Sequence, residues 1–159
     1  MTISPGNELA LVRAAHVAAV VMWIGGVAFV TTVLLPAVRR GQPPSQRLAA
    51  FLRVEGGFAW QARITVLIAG ASGYWLVHRL QLWDRFALAE YWWMHAMVAV
   101  WAVFALMLFV IEPLFLHRAL ERARRPERAF RAMEVLHWLL LTISLVTVAG
   151  AVAGSHGLS

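Results

Sequence analysis

Four of the six histidines stand in long apolar runs of this 159-residue chain, and three of them, His16, His78 and His95, come from three different runs and fall toward one side. Ionisable side chains are costly inside a bilayer and usually face the interior of a helix bundle, so each is a site hypothesis by default. A neutral imidazole is a ligand for haem iron and for copper. Two chemistries therefore fit the set. In one, two histidines hold a b-type haem axially between helices, with His16 and His95 the favoured pair. Arg13, three residues before His16 and on the same helical face, can then meet a propionate, and Trp23, two turns inward, can touch the ring. In the other, all three histidines hold copper, with Met94 or Met97 of the run Met94-His95-Ala96-Met97 as soft ligands.

Other candidates stand nearer the opposite side. His137 and His117 could bridge a second haem or metal site. Glu112, followed by Pro113, is a carboxylate well inside an apolar run, and it either relays protons or pairs with Arg63 near the same boundary. Trp83, Tyr91, Trp92 and Trp93 make an aromatic belt, which anchors helices at the headgroups or borders a site for a quinone or another redox partner.

The elements that must position these groups are long helices. A hydrocarbon core of about 30 Å needs roughly 20 mostly apolar residues of helix, and four runs qualify: residues 9–35, 58–83, 91–116 and 135–153. The first is too long for a signal-peptide core and has no basic leader or small-residue cleavage site, so it is expected to be retained. The spacing predicts an all-α integral membrane protein, an up-and-down four-helix transmembrane bundle in one domain over residues 1–159. Every one of the 14 basic residues is arginine, and 11 lie in or beside the connections between the first and second and the third and fourth runs. Positive charge marks the cytoplasmic side, so both termini are expected outside, in a bacterial inner membrane. On that reading His16 and His95 sit about 20 residues from the inner ends of their spans, and His78 lies close to the outer end of its own. All three then share one depth.

The connections predict local structure. Ser45 is placed to cap a short interfacial helix bearing Leu48, Phe51 and Leu52, broken by Gly56 and Gly57 before the second span; residues 118–134 read as an arginine-rich extension of the third. The arginines face anionic lipid and call for no nucleic acid. Gly25, Gly26, Gly70, Gly73, Gly150 and Gly154, with Ala69 and Ala71, mark close helix contacts or a homo-oligomer face, while Ala99, Ala102 and Ala105 leave a thin stripe that could admit a flat ligand.

Composition excludes other classes. With 61% apolar and 14% charged residues the chain lacks the polar surface of a soluble enzyme. Without cysteine it has no disulfide, thiolate metal site or covalently attached haem. It carries no glycine-rich phosphate loop, hydrolase triad or zinc-protease helix. A membrane anchor or assembly subunit without cofactor remains the bland alternative.

Two segments carry a family resemblance. Leu11-Val12-Arg13-Ala14-Ala15-His16-Val17, followed by Trp23-Ile24-Gly25-Gly26, resembles the first helix of CopD-type copper-resistance membrane proteins and HemJ-type protoporphyrinogen oxidases. Trp93-Met94-His95-Ala96-Met97 is similar to the start of the third HemJ helix, and residues 125–131 to the arginine-bearing lead-in of the fourth. The HemJ resemblance implies a b-haem redox protein with His16 as ligand; the CopD resemblance implies copper handling. Met97 stands where HemJ proteins have a functional lysine, and Glu134-Val135-Leu136-His137 replaces their Asn-Glu-x-Pro element.

Overall fold

The computed structural model describes residues 5–116 and 125–156. Among them there is no strand: helix α1 (Pro5–Phe29) runs through a π-helical segment (Val30–Leu34) into α2 (Leu35–Gly41), followed by α3 (Arg47–Arg79), two 3-10 turns (Trp83–Ala87 and Ala89–Tyr91), α4 (Trp92–Leu106) with a π-helical continuation (Met107–Leu116), and α5 (Pro126–Ser155). Three rods, Gly6–Gly41, Ala89–Leu114 and Pro126–Ser155, are long and apolar enough to cross a membrane. Their outer surfaces carry Leu11, Val21, Leu106, Leu139 and Val146, each more than half exposed. Apolar cover on that scale belongs against lipid rather than water. The features fit an all-α membrane protein.

The second expected span lies within α3, which at 33 residues is long enough to cross. It is less apolar than the three rods because it holds the polar and small residues of the interior. Thr65, Val66, Ala69 and Ser72 are buried there, and α1 packs along it more extensively than any other helix pair packs.

Two expectations about the connections are corrected. The chain from Arg47 to Arg79 is one helix, unbroken at Gly56 and Gly57, and it starts after Gln46 with no side-chain cap from Ser45. A glycine costs a helix about 1 kcal/mol relative to alanine, less than the helix gains by burying Leu48, Phe51 and Ala59 on both sides of the pair. Residues 126–134 likewise belong to α5, continuous with the fourth span, with Pro126 in its first turn, where the missing N–H costs nothing. Arg118, Arg122 and Arg124 lie outside the described residues.

Two apolar clusters hold the rods. At the arginine-rich end Val30, Leu35 and Val38 meet Leu48 and Phe51 of α3 and Phe130 and Met133 of α5. Arg39 of α2 adds a two-pronged hydrogen-bonded pair with Glu134 of α5. Midway, Ala19 and Trp23 pack with Val66, Ala69, Phe104 and Leu140. Toward the other end tryptophan rings fill the places left by glycine. A Cβ on Gly70 would stand 2.6 Å from Trp101, one on Gly150 2.5 Å from Trp92, and one on Gly154 2.3 Å from Trp93.

Candidate functional site

His16 faces α3. Its Nδ1 lies 3.1 Å from the Ala69 carbonyl oxygen and 2.9 Å from Ser72 Oγ. A carbonyl only accepts, so Nδ1 carries the proton and donates it there. The Ser72 hydroxyl spends its own hydrogen on the carbonyls of its helix. Nε2 is left with its lone pair. This is the arrangement in which a backbone carbonyl sets the tautomer of a metal-binding imidazole. Gly73 makes room for the ring, since a Cβ there would lie 3.1 Å from His16 Cε1.

The other two histidines expected to share its depth sit differently. His78, in the last turn of α3, is exposed and stacks on Tyr74 at 6.3 Å. His95, in the first turns of α4, is also exposed and meets the edge of Phe86 at 5.3 Å. The two end one aromatic chain, in which Tyr74 meets Trp83 and Trp83 stacks on Phe86. Among the described residues no three His, Asp or Glu side chains are grouped as metal ligands. Arg13 is exposed, Trp23 is buried against Phe104, Met94 is buried and Met97 is 38% exposed. Ala99 and Ala102 are exposed and Ala105 half-buried, so the alanine stripe turns largely away from the bundle. Of the aromatic belt, Trp83 and Trp92 are exposed, whereas Trp93 is buried against Gly154.

The arginine-rich half holds a second constellation, around a cavity of about 100 Å³. All four long helices contribute: Trp23 and Val30 from α1 and its continuation, Glu55, Ala59 and Gln61 from α3, Phe104 and Glu112 from α4 and its continuation, His137 from α5. The volume is well under the roughly 300 Å³ at which pockets enclose drug-sized ligands. Both π-helical segments border it through Val30, Met107 and Glu112. Such widened turns recur at functional sites.

Glu112 is buried and accepts from Arg63 Nη2 at 3.0 Å, the pairing expected from their depth. Arg63 Nε donates to the Leu108 carbonyl at 3.1 Å. In a π-helix that carbonyl would bond the N–H five residues on, and position 113 is proline, which has none. His137 donates Nδ1–H to the Met133 carbonyl at 2.9 Å, leaving Nε2 as an acceptor, and meets Phe51 edge to face. Its expected partner His117 lies outside the described residues. The Trp23 indole N–H is buried without an acceptor.

Glu55 is the residue that the sequence reading missed. It lies just before the expected span, toward the arginine-rich end of α3, and burial, with the nearby charge of Glu112, pushes its carboxyl up to about 7. A signal was present: Glu55, Phe58, Ala59 and Ala62 recur at helical spacing and share the face that lines the cavity. In comparisons with family models, curated proteins and solved structures, nothing matches this chain.

Proposed function

We propose that this chain is a b-type haem-binding redox protein of the bacterial inner membrane, with four transmembrane helices, both termini outside and the arginine-rich connections in the cytoplasm. The observation that carries the reading is His16, a half-buried imidazole on an apolar helix whose Nδ1–H is committed to the Ala69 carbonyl, so that Nε2 is free to ligate. The bound haem would supply one-electron chemistry, with a quinone or a redox protein as partner. His95 and His78 are the candidates for a second ligand, and Arg13 would pair with a propionate. The HemJ resemblance of the first and third helices agrees with this reading. The CopD resemblance supplies the competing one, copper held by the same histidines.

An absorption spectrum of the detergent-solubilised chain tests it. The expected result is a Soret band with sharp visible bands on dithionite reduction, abolished by His16→Ala. Alanine variants of His78 and His95 assign the second ligand. Carbon monoxide leaves the reduced spectrum unchanged if two histidines ligate the iron and shifts the Soret band if one position is open. A colourless protein containing copper would replace haem with the copper reading, and a colourless protein without metal would leave a membrane anchor.

A further inference from the structure

We infer that the cavity in the arginine-rich half is a hydrated proton-binding site in which Glu55 holds an exchangeable proton. The inference does not depend on haem at His16.

Its first support is the polar inventory of the cavity wall. The Trp23 indole offers a donor with no acceptor, although the residue is only 5% exposed. His137 offers the converse, because its Nδ1–H is committed to Met133 and its Nε2 can only accept. A water in the cavity can donate to that imidazole nitrogen and to the carboxyl oxygens of Glu55 and Glu112 around it. A cavity of about 100 Å³ with several polar partners has room for a few such waters.

The charges explain why Glu55 is the proton carrier. From α3 the cavity is faced by Glu55, from the π-helical continuation of α4 by Glu112 and from α5 by His137, whereas the lining residues of α1 and its continuation include no titratable group. Arg63 also comes from α3, but it is directed at Glu112 through Nη2 and at the Leu108 carbonyl through Nε. Among the described residues Glu55 has no ion-pair partner within 4 Å. A half-buried carboxyl without a cation and beside another carboxylate favours its neutral form, in line with its upward shift to about 7. Its neighbours Arg53, Val54, Gly56 and Gly57 are exposed at the arginine-rich end, where the proposal places exchange of the proton with solvent.

Infrared titration of the full-length protein in detergent, from about pH 5 to about pH 9, tests the assignment. The expected result is a protonated-carboxyl C=O band that disappears with a midpoint near neutral pH, shifts promptly in heavy water, and is absent in Glu55→Gln. Glu112→Gln provides a second arm, should that variant fail to fold. Removing the neighbouring negative charge and releasing Arg63 should lower the midpoint by about one pH unit or more. A band that persists in Glu55→Gln, the lack of any carboxyl titrating near neutrality, a band inert to heavy water, or an unmoved midpoint in Glu112→Gln would each overturn the proposal.

Discussion

Arg63 of α3 reaches across to Glu112, giving Nη2 to the carboxylate at 3.0 Å while its Nε takes the carbonyl that Pro113 leaves without a donor. One side chain thus neutralises a buried charge and repairs an interrupted backbone ladder. Removing either partner strands the other in a medium that solvates it poorly. Arg63→Met or Glu112→Leu alone should cost about 3–5 kcal/mol, and the double variant should recover much of that loss. Unfolding of the four proteins by SDS in mixed micelles measures the cycle, and additive losses would show the pair to be independent.

The tryptophan and glycine contacts predict a contrast among glycines. Gly150→Ala and Gly154→Ala drive a methyl group into the rings of Trp92 and Trp93 and should destabilise by about 1–3 kcal/mol. Gly25→Ala meets nothing within 4 Å and should be neutral or slightly stabilising. Thermal melts in detergent compare the three.

Ser72 shares the His16 proton with the Ala69 carbonyl. If His16 holds haem, Ser72→Ala should keep the spectrum and weaken haem retention by no more than about 10- to 100-fold, the usual effect of losing a supporting hydrogen bond. Titrating haem into the depleted variant reads this directly. A loss as complete as that of His16→Ala would mean that the carbonyl alone does not set the tautomer.

Glu55 makes stability depend on pH. Its folded value of about 7 lies above the ordinary 4.5, so the unfolded chain releases this proton first. Its contribution is fully present below about pH 4.5, declines as the pH rises through 7 and is level above that, a change of up to about 3 kcal/mol. Unfolding at several pH values should show this slope in the wild type and a flatter profile in Glu55→Gln.

The four-span topology is open to a clean test because the chain has no cysteine of its own. Ser45→Cys and Gln81→Cys, both at exposed positions in connections, should react with an impermeant maleimide from opposite sides of the membrane, Ser45→Cys from the cytoplasm. Labelling of both from one side would remove α3 from the set of spans.

The helical, lipid-facing character of this protein was legible in the sequence, because runs of about 20 apolar residues have few alternatives to a helix in a bilayer. The Arg63 and Glu112 pairing was legible too, since two isolated opposite charges at one depth each need a partner. What the sequence left open was which way each helix faces. α4 is apolar nearly all round, so no stripe shows whether His95 turns inward, and the rotation is decided by Trp93 seating on Gly154 and Trp101 on Gly70. Those contacts leave His95 exposed while α3 holds His16 by Ala69 and Ser72. The cavity, too, is a product of packing. Two widened helical segments and the arginine-rich end of α3, placed by the tertiary structure, bring Glu55, His137 and Glu112 to one cavity from positions far apart in the chain.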